Sequence, residues 1–161
     1  MTRLSQSLAC RPLLVAAAMA CAGGVSAAPS RSLVDDSIVT MIRSYLTNDI
    51  VTMSILNQNH RYRDVDDAAI SALDEQWVAE RKATKKPLIS ATLANPLSNY
   101  LTRVQARSGG LFTEIMVMDR HGLNVGQSNI TSDFWQGDEA KYQKTFPAGP
   151  AAIFVDDPEF D

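Results

Sequence analysis

Apolar residues recur at helical spacing from Ser32 to about His60. When successive residues are advanced by about 100°, one stripe collects the following positions: Val34, Ile38, Met41, Ile42, Tyr45, Leu46, Met53 and Leu56. The pattern predicts one long amphipathic helix. Ile50, Val51 and Ile55 lie off the stripe, so a second face is partly apolar and packs either on a partner chain or on another part of this one. Asp49 falls inside the stripe, which indicates a hydrogen-bonded Asp near a break in the helix.

Three further helical segments are predicted before residue 110. The first begins at Asp66 or Asp67, whose carboxylates suit a helix N-terminus, and ends in the basic run through Lys86. Its predicted buried face comprises Ile70, Leu73, Trp77 and Val78. A short segment over 88–93 follows, after the stop at Pro87. Asn95 and Pro96 then read as the N-cap and first residue of a helix that Gly109 and Gly110 terminate, and its apolar positions are Leu97, Tyr100, Leu101 and Val104.

The pattern changes to strand-like after residue 110. Residues 111–119 form a near-continuous apolar run, residues 119–122 suit a type I turn, and residues 123–127 alternate apolar and polar, which together predict a hairpin. Asp133 is expected to cap a short turn, a helix is expected from Gly137–Asp138 to about Thr145, and a third strand over 151–155. Helices grouped before an antiparallel sheet predict an α+β fold.

The N-terminal segment has the pattern of a secretory signal. Arg3 and Arg11 are basic, no acidic residue precedes Asp35, and the apolar run over 13–22 is well short of the ~20 residues that cross a bilayer. Small residues at Val25-Ser26-Ala27 predict cleavage near residue 27, which leaves one domain over residues 28–161. Lipidation at Cys21 is the alternative, although the bulky leucine of a lipobox is missing.

Cysteine usage and charge narrow the function classes. The chain has two cysteines, Cys10 and Cys21, and both fall in the predicted signal, so no disulfide framework or thiolate nucleophile is expected in the mature domain. Export without disulfides fits a bacterial periplasm at least as well as an animal extracellular space, and we expect the periplasm. The formal net charge is −3 and the basic residues are scattered, which argues against a nucleic-acid partner. We expect no metal site, because no histidine pair has ligand spacing, and no cofactor.

The run from Phe112 to Phe146, FTEIMVMDRHGLNVGQSNITSDFWQGDEAKYQKTF, resembles the extracytoplasmic PAS-like sensor domains called Cache or PDC domains. The similarity lies in a strand that ends in Asp119, a turn with Gly122, a second strand, the segment SDFWQGDE at 132–139 and a short helix. The upstream helices are similar to those of small single-Cache periplasmic proteins. The resemblance covers nearly all of the predicted mature chain.

The resemblance implies a long N-terminal helix lying along an antiparallel sheet, with a small-molecule pocket beside the second strand. The family sheet has two more strands, for which this chain has no counterpart before Asp161, so the domain is expected to be C-terminally incomplete relative to the family. Members sense metabolites such as amino or organic acids. The expected function is ligand sensing for signal transduction by a non-enzymatic domain without its own output module.

The candidate ligand-binding residues combine acidic and aromatic side chains. Carboxylates can hold an ammonium group, and aromatic rings supply flat apolar walls and cation–π faces. The candidates are Asp133, Trp135, Asp138, Glu139, Tyr142 and Tyr100. For Asp133, Asp138 and Trp135 the purely structural alternative is helix capping or core packing.

The expected mechanism is that a small polar metabolite, an amino acid, amine or organic acid, docks near Asp133, Trp135 and Tyr142. Binding would shift the long helix against the sheet and alter a contact with a membrane histidine kinase or chemoreceptor. Three alternatives stay open: a ligandless interaction protein that dimerises through the long helix by Ile50, Val51 and Ile55, a truncated non-functional fragment, and a small periplasmic hydrolase.

Overall fold

Helices account for most of the regular structure in the computed structural model, which describes residues 34–157. The elements in chain order are α1 (Asp36–Leu46), α2 (Asp49–Arg61), α3 (Asp67–Lys82), α4 (Pro87–Leu93), α5 (Pro96–Arg107), β1 (Met116–Met118), β2 (Asn124–Gln127) and α6 (Ala140–Gln143). The two strands pair antiparallel, so the α+β prediction is confirmed. The predicted secretory signal, with Cys10 and Cys21, lies outside the described residues.

The N-terminal segment is two helices where one was predicted. Asn48 has an extended backbone, with φ −72° and ψ 127°, and its side-chain oxygen accepts a hydrogen bond of 3.0 Å from the N–H of Ile50. This cap starts α2 afresh, because an N-cap residue lies outside the helical conformation. Asp49 then occupies the first turn of α2, where its charge favours the positive end of the helix. The expected break near Asp49 is therefore present, and the single long helix is absent.

Because of the break, the face of α2 that is buried is opposite to the one predicted for a single continuous helix. Val51 is only 4% exposed, and Ile50 and Ile55 pack against the same cluster. Met53 and Leu56, which belong to the predicted stripe, are 60% and 61% exposed. A count of 100° per residue fails across this break because the backbone of Asn48 is extended rather than helical. The off-stripe residues thus pack on another part of this chain, the second of the two possibilities raised by the sequence.

Helix α3 matches its predicted start and its buried face. The Asp66 carboxylate accepts a 2.8 Å hydrogen bond from the N–H of Ala69, which caps the helix. Trp77 is fully buried and its ring stacks on Phe134 at 5.3 Å between centroids. The helix ends at Lys82 rather than at Lys86, because Ala83 turns to an extended backbone.

Helices α4 and α5 complete the helical layer. Pro87 begins α4, one residue before the predicted start. Asn95 caps α5 as predicted, through a 2.7 Å hydrogen bond from the N–H of Ser98. The core consists of two clusters. One contains Ile70, Trp77, Ile89, Leu123 and Phe134, and the other contains Val51, Leu97, Leu101 and Val125.

The hairpin is shorter than predicted but has the predicted turn. The N–H of Gly122, at φ +81°, donates to the carbonyl of Asp119 at 3.1 Å, and the side chain of Asp119 accepts from the N–H groups of His121 and Leu123. Only Met116–Met118 of the predicted first strand pairs with β2, with an irregularity after Val117. Every residue of β2 is buried, the polar Asn124 and Gln127 included.

The third strand predicted over residues 151–155 is absent, and residues 152–157 have neither helix nor strand. This segment lies against α1 instead of the sheet: a cavity of about 570 Å³ is lined by Ile42 and Leu46 on one side and Ile153 and Val155 on the other. The predicted helix ending near Thr145 is reduced to the four residues of α6. None of the helices between residues 34 and 157 is both long enough and apolar enough to cross a membrane.

Candidate functional site

Two of the candidate aromatic residues bind the hairpin turn. The indole N–H of Trp135 donates to the carbonyl of His121 at 2.8 Å, and the hydroxyl of Tyr142 donates to the carbonyl of Arg120 at 2.6 Å. Burial, together with the negative charge of Asp119, raises the pKa of Tyr142. The polar atoms of both side chains are therefore engaged in holding the turn against the following loop.

The capping role expected of Asp133 belongs to Asp74. The carboxylate of Asp74, on α3, accepts hydrogen bonds of 2.8 and 2.9 Å from the N–H groups of Phe134 and Trp135. Asp133 is half-buried and contributes its main-chain carbonyl, which accepts from the side chains of Asn124 and Gln136 at 3.1 and 3.0 Å. The expected cap at Asp133 is wrong, because a carboxylate distant in sequence reaches the same N–H groups.

The other three candidates make no hydrogen bond to this turn. Asp138 and Glu139 are exposed, and Glu139 makes a 3.9 Å contact with Lys141. Tyr100 is half-buried on α5, where its hydroxyl donates to the carbonyl of Tyr45 at 3.0 Å. It lines a mainly apolar cavity of about 250 Å³ between α1, α5 and β1. The structure therefore brings Trp135 and Tyr142 to one turn and places Tyr100 in a separate cavity.

Asp119 is buried although it lies in the hairpin turn. Only 2% of its surface is exposed, and the Gln58 side chain donates to its carboxylate at 3.0 Å. Its neighbours Arg120 and His121 hydrogen-bond to each other at 3.1 Å. Among residues 34–157 there is no group of three or more His, Cys, Asp and Glu residues that could hold a metal ion.

A buried polar seam runs beside β2. The Thr131 hydroxyl accepts a 3.1 Å hydrogen bond from the side-chain amide of Asn124 and donates to the amide oxygen of Gln127 at 3.4 Å. The amide oxygen of Asn124 and the amide nitrogen of Gln127 find no partner in the described part of the chain. An unpaired buried polar group costs about 1–3 kcal/mol, so the seam does not contribute to stability as an apolar core would.

A polar groove of about 400 Å³ lies between α2, α4, the start of α5 and β2. Phe134 and Val125 contribute buried apolar surface to it. The residues that line this groove are Ser54, Asn57, Gln58, Arg61, Tyr62, Leu88, Ala91, Thr92, Asn95, Pro96, Val125 and Phe134. None of the six candidate residues is among them, but Phe134 belongs to the segment that resembles Cache domains.

Some polar side chains of the groove hydrogen-bond to other parts of the chain and are called committed here, whereas others do not and are called uncommitted. Gln58 donates to Asp119 and to two carbonyls of the hairpin, and Asn95 donates to the carbonyl of Val125 at 2.7 Å. In contrast, the side chains of Asn57 and Arg61 make no hydrogen bond or ion pair with any residue of the described range. The committed groups hold the walls in place, and the uncommitted groups are available to a ligand.

Sequence reasoning missed this groove, although α2 carries a signal for it. Ser54, Asn57, Gln58 and Arg61 follow the i, i+3, i+4, i+7 spacing of a single helix face. A polar stripe of this kind is usually read as a solvated surface. Here it faces α4 and the sheet, and only tertiary packing reveals this.

No family model, no curated protein and no solved structure matches this chain. The class of this protein is therefore described by its fold and its groove alone. The described residues belong to an α+β protein with a two-stranded antiparallel sheet and a polar groove beside it.

Proposed function

We propose that this chain is an extracytoplasmic domain that binds a small polar molecule for signal transduction, without an output module of its own. The observation that carries the proposal is the groove between α2, α4 and β2. Its volume of about 400 Å³ falls within the range of small-molecule sites, and it combines buried apolar surface with a few convergent polar groups.

The proposal includes the Cache-type, PAS-like architecture that the segment over 112–146 resembles. The hairpin, the turn at Gly122 and the loop held by Trp135 and Tyr142 support it. Export to the periplasm and a membrane histidine kinase or chemoreceptor as partner belong to the same proposal, and they rest on the signal-like N-terminus and on the resemblance.

The geometry favours the groove over the acidic and aromatic residues as the ligand site. Trp135 and Tyr142 already bind turn carbonyls, so a ligand there would have to compete for their polar atoms. The groove offers polar groups that no part of the described chain engages. The alternative ligand site comprises Asp133, Trp135, Asp138, Glu139 and Tyr142. The experiment must distinguish this site from the groove.

A second candidate function is protein interaction through an apolar surface. Large apolar side chains are exposed at Ile42, Leu46, Met53 and Leu56 along the two N-terminal helices. Because Ile50, Val51 and Ile55 face the core, a dimer would use these exposed residues instead. This function predicts a concentration-dependent mass in light scattering that Leu56→Glu abolishes.

The test of the proposed function is a binding screen with a groove-filling variant. The purified chain is screened by thermal shift and calorimetry against amino acids, amines and carboxylates. Ala91 lies in the groove and is exposed, so Ala91→Leu adds three carbons to the groove without disturbing the core. Ala106→Leu on α5, also exposed and outside the groove, is the matched control.

We expect at least one compound to bind, Ala91→Leu to abolish this binding, and Ala106→Leu to preserve it. Binding that survives Ala91→Leu and disappears in Asp133→Ala would move the site to the loop. If no compound in the panel binds, the sensing function is wrong.

A further inference from the structure

The groove carries one sign of charge. Arg61 is its single formally charged lining residue, and none of the twelve lining residues is an Asp or Glu. A cationic ligand would find no countercharge among the lining side chains, whereas an anionic ligand would find the guanidinium.

Arg61 makes no side-chain hydrogen bond or ion pair with residues 34–157, as is also true of Arg103 and Arg107, but it alone of these three lines the groove. Arg63 pairs with Asp64 at 2.8 Å, Arg81 donates to the carbonyl of Ser132 at 3.2 Å, and Arg120 donates to the carbonyl of Arg63 at 2.8 Å. The side chain of Arg61 has no such contact with residues 34–157. Its five N–H donors are free to form the two parallel hydrogen bonds by which a guanidinium binds a carboxylate.

The start of α5 adds positive potential on the other side of the groove. Asn95 and Pro96, the N-cap and first residue of this 12-residue helix, both line the groove. The N-terminal end of a helix carries a partial positive charge, which favours an anion nearby. Two independent sources of positive potential therefore face the same space.

We infer that the groove binds a small organic acid, with its carboxylate held by Arg61 and its body lying on Val125 and Phe134. This inference rests on the proposed function and specifies the ligand class for it. The neutral side chains of Asn57, Ser54 and Tyr62 are left for the hydroxyl or carbonyl groups of the ligand. This ligand is an anion, whereas the acidic residues of the loop were expected to bind an ammonium group.

The experiment compares matched ligands and matched arginine variants of the purified chain. Calorimetry measures the affinity of small mono- and dicarboxylates, of their uncharged amides, of the corresponding amines and of inorganic phosphate. Arg61→Gln removes the charge from the groove. Arg103→Gln removes the same charge from an exposed position of α5 outside the groove and serves as the control.

We expect carboxylates to bind in preference to their amides and amines, and Arg61→Gln to weaken this binding roughly 10- to 100-fold, as the loss of a charge-assisted hydrogen bond does. Arg61→Lys should restore only part of it, because an ammonium group lacks the planar fork. Arg103→Gln should leave the affinity unchanged. Since Arg61 also lies in the last turn of α2, where a cation favours the helix, affinity rather than stability is the deciding measurement.

Several results would overturn the inference. Amines that bind the groove while carboxylates do not, phosphate binding without carboxylate binding, or carboxylate binding that Arg61→Gln leaves unchanged would each do so and leave the sensing function standing. If no member of the panel binds, the sensing function and the ligand class fail together.

Discussion

At the scale of single residues, Glu80 joins two helices by acting as a cap at a distance. Helix α4 has no side-chain cap of its own, because Lys86 occupies its N-cap position. The Glu80 carboxylate on α3, only 6% exposed, accepts a 3.0 Å hydrogen bond from the N–H of Ile89 in the first turn of α4. Gln76 donates to the other carboxylate oxygen at 2.7 Å.

The charge of Glu80 makes stability depend on pH. Burial by itself raises the pKa of Glu80, but hydrogen bonds from Gln76, Ile89 and Leu88 outweigh it and hold the pKa below its ordinary value of 4.5. A carboxyl group whose pKa is lowered by folding stabilises the native state above its unfolded-state pKa. This contribution disappears as the pH falls through the lower folded-state pKa.

We expect Glu80→Ala to reduce the free energy of unfolding by about 1–3 kcal/mol at neutral pH, because the Ile89 N–H loses its acceptor in a buried place. Glu80→Gln should flatten the loss of stability below pH 4.5, since the variant has no carboxyl group to protonate. Urea unfolding at a series of pH values measures both effects. Glu75→Gln, an exposed carboxylate on the same helix, is the control, and an equal flattening in that variant would contradict the assignment.

At the scale of elements, α2 provides the sharpest test of which helix face is buried. Val51→Ala should lower the free energy of unfolding by about 1–3 kcal/mol, because it removes methyl groups from the cluster with Leu97 and Val125. Leu56→Ala removes more carbon atoms but should change it by less than about 0.5 kcal/mol, because Leu56 is 61% exposed. Urea unfolding measures the free energy of unfolding of both variants. A larger decrease in Leu56→Ala than in Val51→Ala would mean that the face predicted for a single long helix is the buried one.

The elements that sequence patterns predicted well are those whose ends carry local chemistry. Asp66 and Asn95 cap α3 and α5, and Gly122 closes the hairpin turn, because each feature depends on residues within a few positions along the chain. The break at Asn48 was indicated only through Asp49. Its effect on the buried face was missed, because the apolar positions on both faces of α2 fit a helix equally well.

The candidate site was less predictable, because its determinants are distant in sequence. Asp74 takes the capping role assigned to Asp133 from about 60 residues away in sequence, an interval that no local pattern covers. The groove joins α2 to α4 and β2, so its lining residues come from separate parts of the chain and no local pattern groups them. Within the SDFWQGDE segment, Phe134 packs in the core and Trp135 donates to the hairpin turn, while Asp138 and Glu139 are exposed. A ligand-binding role for this segment stays a prediction.

At the scale of the whole molecule, α1 is the most weakly anchored of the longer helices. None of its residues is buried, whereas α5 contributes Leu97, Ser98, Leu101 and Val104 to the interior. The contacts of α1 include the Tyr45 ring edge-on to Phe112 at 6.4 Å and a 3.5 Å hydrogen bond from Arg43 to the carbonyl of Ala151. Segments with few buried apolar contacts open at a lower free energy than the core.

We therefore expect amide hydrogens of Asp36–Leu46 to exchange faster than those of Pro96–Arg107. Hydrogen exchange followed by mass spectrometry of peptides from the two helices measures the difference in one sample, so α5 serves as the internal control. Equal protection of the two helices would show that α1 opens only with the global unfolding of the molecule.

The two-residue interval between α1 and α2 has a mechanical consequence. Helix α2 forms a wall of the groove, whereas no residue of α1 lines it. One continuous helix would transmit a translation or rotation of α2 along its axis. Here the helix is interrupted, because α1 ends at its C-cap Thr47 and α2 begins after its N-cap Asn48. Under the proposed function, a ligand-driven displacement of α2 would therefore reach α1 as a change in the angle between the two helices rather than as a shift along a common axis.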